Sequence, residues 1–354
     1  MDAQSLFTPF NYKGLQLKNR IVMPPMTRKR SPDGIPNQAV ANYYSRRSTD
    51  AGLIISEGTV IERPASKHFK DIPNFYGEAL KGWENVIRNV HQYGGKMGPQ
   101  LWHVGIPKPD PSGWLPAVPF ESPATMSRED IQATINAFAE AALNAKKLGF
   151  DCIDMQAGHG YLIDQFFWER TNQRKDEYGG KTLRERTRFA IEVVAAIRKA
   201  VGPDFVIIIR LSQWKLQDYA AKLAFTPIEM ESWLVPLAEA GVDVFDCSQR
   251  RYWEPEFEGS DLSFAGWTKK ITGRPTITVG SVGLSGEFLQ SLFQGSGAKK
   301  TDFTELLRRF DRGEFDLVAV GRALLQDPDW IRKVKDGKSD ELKDFSKDSL
   351  SLLY

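Results

Sequence analysis

The chain has 354 residues, with 47 Lys and Arg against 45 Asp and Glu, for a formal net charge of +2. So even a balance, with no block of like charge, excludes the basic footprint of a nucleic-acid binder and a polybasic membrane patch. Hydrophobic residues make up 41% of the chain, enough for a large buried core and too many for a disordered chain.

Eight short apolar runs punctuate the sequence, at 20–26, 52–57, 96–103, 150–155, 205–211, 242–247, 275–279 and 315–320. Most are continuous and β-branched, as strands buried on both faces of a parallel sheet should be. Helical periodicity fills the intervals. A helix is expected over 131–148, with Ser127 capping its first turn. Others are expected over 183–200, 227–240 and 322–334. Pro227 suits the first turn of its helix, whereas Pro236 should kink or break it. Eight strand–helix alternations are the pattern of a (β/α)8 TIM barrel, with a doubly wound sheet as the competitor. Residues 1–337 are assigned to the barrel and 338–354 to a C-terminal tail. That tail should fold back on the barrel or onto a partner subunit.

The connections carry information too. Residues 104–125 hold prolines 107, 109, 111, 116, 119 and 123 with Trp114 and Phe120. This stiff loop follows the third strand, on the face where barrels do their chemistry. Long segments at 212–226 and 248–266 bring Trp214, Tyr219, Tyr252 and Trp253 towards the same mouth. They either pack loops onto the barrel or wall an apolar site. No run approaches the roughly 18 apolar residues of a membrane span. The N-terminus lacks the basic-then-apolar pattern of a signal peptide, so a cytoplasmic location is expected.

The two cysteines, Cys152 and Cys247, cannot supply a zinc cage or an iron–sulfur cluster, which take about four ligands. Both read as small buried hydrophobes. The strand ends offer no carboxylate cluster for a metal and no Ser-His-Asp set. Of the four histidines, His91 falls in a helix and His68 in a loop, as structural or solvated residues, and His103 reads as a satisfied strand histidine. What remains is a set of neutral hydrogen-bonding groups and one strand arginine, Arg210, which suits a large neutral heterocycle.

These strand ends carry a resemblance. The segments 19–27 (NRIVMPPMT), 100–103 (QLWH), 158–166 (GHGYLIDQF), 172–180 (NQRKDEYGG) and Gly321-Arg322 occur in order. In them the chain resembles the Old Yellow Enzyme family of FMN-dependent ene-reductases, from Leu6 to about Arg332. The resemblance implies non-covalent FMN, NADPH or NADH as electron donor, an activated alkene as acceptor, and ping-pong kinetics. Gly280, Ser281, Gly321 and Arg322 follow the last two strands, where barrels commonly bind phosphate, and Arg322 can pair with it bidentately. Gln100 can serve flavin O2 and N3–H together. Arg210 would either sit beside N1 and O2 and stabilise negative charge there, or pair with a barrel carboxylate. Thr27 resembles the donor to flavin O4, with Pro25, Met26 and Gly58 against the ring.

The family holds the acceptor's oxygen with two side chains after the fourth strand, usually His with His or His with Asn. Here those positions carry Gln156 and His159, a departure that bears on substrate range. Tyr161 matches the family's proton donor, and Trp102 lines the pocket. The residues expected to bind substrate are thus Trp102, Gln156, His159 and Tyr161. Two other readings stand beside reduction of enones, enals, maleimides or nitroalkenes: a flavin dehydrogenase or demethylase on the same barrel, and a weakly catalytic flavin-binding sensor. Homo-oligomers are plausible from the resemblance alone.

Overall fold

The computed structural model describes residues 3–108, 113–286, 291 and 297–353. Pro109 and Pro111 of the proline-rich loop and Tyr354 of the tail lie outside them. A short antiparallel hairpin comes first, β1 (Phe10–Tyr12) and β2 (Leu15–Leu17), with Phe10 opposite Leu17. The barrel follows: β3 (Ile21–Met23), β4 (Leu53–Val60), β5 (Met97–Trp102), β6 (Cys152–Gln156), β7 (Val206–Leu211), β8 (Val244–Ser248), β9 (Thr276–Val279) and β10 (Leu317–Ala319). These eight strands are all parallel and close on themselves, with β10 pairing both β9 and β3. The eight expected runs are the eight barrel strands, and the doubly wound alternative falls.

Alternation along each strand divides the apolar residues between two cores. Val22, Leu53, Ile55, Cys152, Val206, Ile208, Val244, Ile277 and Leu317 fill the barrel interior. The hairpin supplies Phe10, Leu15 and Leu17 to that same cluster, so it stoppers the N-terminal end. The hairpin has no counterpart in the periodicity reading, because three-residue strands are too short to show alternation. The outer faces of the strands join the helices in the larger core, where Trp83, Trp233 and Trp330 are fully buried. Cys247 lies there, and both cysteines are free and buried.

Helices α1 (Gln38–Ser48), α2 (Ala79–Gln92), α3 (Arg128–Lys147), α4 (Leu162–Phe167), α5 (Leu183–Arg186), α6 (Arg188–Val201), α7 (Pro227–Ala240), α8 (Phe264–Thr272), α9 (Thr304–Asp311), α10 (Arg322–Gln326) and α11 (Trp330–Lys335) surround the strands. The Ser127 cap is present, and Asp130 returns the bond to the Ser127 N–H, completing a capping box. Thr226 caps α7 in the same way ahead of Pro227.

Three expectations need correction. Pro236 neither ends nor splits α7, which runs unbroken past it; Met230, Trp233, Leu234 and Leu237 anchor both halves to the core. The helix expected over 183–200 is two helices meeting at Thr187. That over 322–334 is also two, because Asp327 takes an extended conformation before Pro328. Among the described residues no helix is long and apolar enough to cross a membrane.

The tail lies on this chain's own barrel. The Arg28 guanidinium donates to the Leu350 and Leu352 carbonyls, at 3.0 and 2.6 Å, and Arg30 to that of Ser351 at 2.7 Å. Phe345 and Ala298 exchange backbone hydrogen bonds.

Candidate active site

A cavity of about 600 Å³ opens at the C-terminal ends of the strands, within the usual range of ligand sites, roughly 300–1,000 Å³. All fourteen residues expected at the site line it: Pro25, Met26, Thr27, Gly58, Gln100, Trp102, Gln156, His159, Tyr161, Arg210, Gly280, Ser281, Gly321 and Arg322. Among the described residues, six cationic side chains, Arg28, Lys29, Arg210, Arg250, Arg322 and Lys347, and no carboxylate complete the charged part of the wall. A cavity so charged favours anionic ligands.

One end is built for a phosphate. The Arg322 guanidinium is held by Ser291 Oγ at 2.7 Å, the Gly286 carbonyl at 2.7 Å and Ser281 Oγ at 3.2 Å. Gly280 adopts φ +132°, and a Cβ there would stand 2.6 Å from the Gln249 carbonyl oxygen. Only glycine fits that turn. At Gly321 a Cβ would stand 3.3 Å from Pro24 Cγ and 3.7 Å from Met26 Sδ, so any side chain there would crowd a wall that glycine leaves bare. This cradle, with its fixed arginine and bare backbone, fits the phosphate of FMN.

The middle of the cavity suits a flat heterocycle. Gly58 follows a register shift in β4, and a Cβ there would meet the Trp102 ring at 2.5 Å, so its absence lets the indole lie across the strand. Gln100 is constrained differently from expectation. Its Nε2 donates to Asp154 Oδ2 at 2.7 Å and to Gln156 Oε1 at 3.2 Å. Both amide protons are thereby used, while Oε1 accepts no bond among the described residues. Gln100 can therefore take a flavin N3–H but cannot also serve O2. Of the two arrangements expected for Arg210, the pairing with a barrel carboxylate is present: Nη1 pairs with Asp246, Nη2 donates to Ser248 Oγ at 3.3 Å, and the side chain lines the cavity.

Asp154 and Asp246 lie buried under this arginine. Burial pushes the Asp154 carboxyl up to about 8, aided by Asp246 and opposed by Arg210. Burial also raises Asp246, against the pull of Arg210. A protonated Asp154 leaves the arginine's charge less compensated and available to the ring.

The oxygen-holding pair departs most from expectation. Gln156 Nε2 donates to the Gly158 carbonyl at 3.2 Å and lies 3.0 Å from His159 Nδ1. An amide nitrogen can only donate, so His159 Nδ1 must accept, and the ring proton resides on Nε2. That Nε2 lies 2.7 Å from Ser248 Oγ. Burial, with Arg210 and Lys215 nearby, drives the His159 pKa well below its ordinary value, so the ring is neutral at pH 7. Gln156 therefore has no free donor for a substrate oxygen. It fixes the tautomer of His159, whose Nε2–H is the donor on offer.

Tyr161 lines the cavity 4.8 Å from the Trp102 ring, edge to face, and its hydroxyl makes no hydrogen bond among the described residues. Burial raises its pKa further above the ordinary phenol value, so it stays protonated. The turn that carries both groups is unusual: His159 has φ +63° and Gly160 φ +80°. A non-glycine residue held there costs of order 1–3 kcal/mol and needs firm surroundings.

Among the loop aromatics, Trp214 stacks on His159 at 4.4 Å and lines the cavity. Tyr219 lines a smaller chamber alongside, whereas Tyr252 and Trp253 pack into the core. Phe120 packs near Trp102 and Tyr161. His103 is satisfied, as expected: Nε2 lies 2.7 Å from Glu121, and Nδ1 accepts the Gly105 N–H. His68 packs between Phe69 and Trp102, and His91 pairs with Asp151. Sequence reasoning missed Ser248 as the partner of His159, and the tail residues Lys347 and Leu350, which reach the cavity wall. Ser248 is the last residue of β8, and nothing in the sequence ties it to residue 159.

Comparison with known proteins agrees with this geometry. A family model described as the NADH:flavin oxidoreductase / NADH oxidase family matches residues 5–341. The NADPH dehydrogenase of Bacillus velezensis is 34% identical over 346 residues, covering 93% of this chain and 94% of that protein. The 12-oxophytodienoate reductase 7 of Oryza sativa subsp. japonica is 31% identical, covering 93% and 87%. A structure of morphinone reductase in complex with tetrahydroNAD superposes with a TM-score of 0.78 at 26% identity, covering 98% and 94%.

Proposed function

The chain belongs to the Old Yellow Enzyme family of FMN-dependent NAD(P)H oxidoreductases, and on that footing we propose that it reduces the C=C bond of alkenes activated by a carbonyl or nitro group. The observation that carries this reading is the convergence of the phosphate cradle, Gln100, Arg210, His159 and Tyr161 on one cavity. FMN, when bound, would supply the hydride chemistry that links the nicotinamide to the β-carbon of the alkene.

The protein's own groups do the rest. Arg322, with Ser281 and the backbone at Gly280 and Gly321, would hold the phosphate. Gln100 Oε1 would take the N3–H, and Arg210 would face N1 and O2. The His159 Nε2–H turns from Ser248 to the activating oxygen and draws electron density from the β-carbon. Tyr161, protonated at neutral pH, delivers a proton to the α-carbon as negative charge builds there. Trp102 and Trp214 keep water from the reacting carbons.

The test is direct. The purified protein is reduced anaerobically with NADPH or NADH and then mixed with 2-cyclohexenone or N-methylmaleimide. Reoxidation with formation of the saturated product is expected. Reoxidation by oxygen alone would refute the reading, and reduction by an amine without nicotinamide would favour a dehydrogenase.

A further inference from the structure

The fully buried ion pair between Lys215 and Asp164, which touches neither the cavity nor solvent, has no part in the reaction just described. Its Nζ–Oδ1 distance is 2.8 Å. Such a pair returns little stability for the desolvation of two charges, so its placement calls for another account. It stands behind the 158–161 turn. Asp164 Oδ2 accepts the Gly160 N–H at 2.6 Å. Lys215 Nζ also donates to the carbonyls of Gln213 at 2.9 Å and Ser212 at 3.3 Å.

The same two segments are stitched together around the pair. The His159 N–H donates to Ser212 Oγ at 2.8 Å, and the His159 carbonyl accepts from Leu216 N–H at 3.1 Å. A Cβ on Gly158 would stand 2.9 Å from Ser212 N, so the two backbones are in direct contact. His159 and Gly160 are both left-handed here. Only contacts from outside the turn can hold two such residues in succession.

We propose that Lys215 and Asp164 are positioning residues: their ion pair ties the loop after β7 to the first turn of α4 and thereby fixes His159 and Tyr161 relative to each other. Without the pair the turn relaxes, and the Nε2–H of His159 and the hydroxyl of Tyr161 lose their common target. The cofactor cradle, built by β9, β10 and their loops, stays intact. The inference rests on the reductase reading for the work of Tyr161, but the position of His159 can be read without turnover.

Three holoenzyme variants test it: Lys215→Met, Asp164→Asn, and the double variant Asp164→Leu with Lys215→Met. Each is assayed for FMN content, melting temperature, affinity for 4-hydroxybenzaldehyde by its long-wavelength absorption, and the rates of the two half-reactions. The double variant replaces the pair by apolar groups and should melt near the parent. Phenolate affinity should nonetheless fall at least fivefold, and reoxidation by alkene at least tenfold, with FMN retained. Asp164→Asn keeps an acceptor for Gly160 and should lose less than Lys215→Met, which strands a buried carboxylate.

A double variant with parental phenolate affinity would overturn the proposal. So would losses that track melting temperature or FMN content across the three. Should the parent reduce no alkene, a loss of phenolate affinity confined to these variants would leave the positioning role standing and the proposed function refuted.

Discussion

Replacing Ser248 by alanine isolates the contest for the His159 Nε2 proton. In the free protein that proton is engaged by Ser248 Oγ at 2.7 Å, because Gln156 occupies the other ring nitrogen. A ligand oxygen must displace this internal bond before it can use the donor. The bond joins neutral groups and is worth about 0.5–1.5 kcal/mol net. Its removal should therefore tighten binding of a phenolate by about twofold to about tenfold. Arg210 loses its 3.3 Å contact with Ser248 but keeps Asp246, so the cofactor side should be little disturbed. The assay is a visible titration of the yellow protein with 4-hydroxybenzaldehyde, with the charge-transfer band followed at fixed ionic strength. An unchanged Kd would refute the argument that His159 Nε2 holds the oxygen. Weaker binding would show that Ser248 itself donates to it.

Four further outcomes follow from the site. Tyr161→Phe should slow reoxidation by alkene at least tenfold while sparing reduction by the nicotinamide, as stopped-flow absorbance can separate; equal loss of both would sink the proton-donor role. Gln156→Leu frees His159 to change tautomer and should weaken phenolate binding by roughly threefold to tenfold with FMN retained, the size of one hydrogen bond; no loss would disprove the lock. Arg322→Ala removes charge-assisted bonds worth about 1.5–3 kcal/mol, so FMN should dissociate at least tenfold more readily, measured by the recovery of flavin fluorescence after dilution. Glu57 is buried, its carboxyl pushed up to about 7 by burial against the Arg28 and Lys29 N–H groups that it accepts at 2.8 and 3.2 Å. The folded protein thus keeps a proton that the unfolded chain releases between pH 4.5 and about 7, so stability falls as pH rises through that window, by up to about 1.4 kcal/mol per pH unit. Glu57→Gln keeps an acceptor for both N–H groups and should flatten that part of the pH profile of thermal unfolding; an unchanged slope would mean that Glu57 is ionised throughout.

The barrel was legible because its strands are buried on both faces, and continuous β-branched runs such as Val206–Leu211 have few other readings. The strand ends were legible because a barrel gathers them at one mouth, whereas the places of Pro25, Met26, Thr27, Gly58 and Tyr161 within it came from the family resemblance. The side-chain partners within that mouth were not. Gln156 looked like an oxygen ligand until Gly158 and His159 were seen to claim its protons. Lys215 and Asp164 are 51 positions apart, and no local pattern announces a pair that the crossing of two loops creates. Pro236 shows the opposite failure: a sound local rule yields to four large side chains that hold α7 against the core.

The hairpin at the start of the chain has a bearing on traffic. With Phe10, Leu15 and Leu17 seated in the barrel's inner core, the floor is sealed by hydrocarbon. In the proposed reaction nicotinamide, alkene and both of their products would then pass the same mouth, and each departing molecule would have to clear it before the next arrives. Order in the catalytic cycle is thus imposed by architecture as well as by chemistry: a donor that lingers at the mouth becomes an inhibitor of the acceptor. High concentrations of NADPH or NADH should slow turnover in a manner that more alkene relieves.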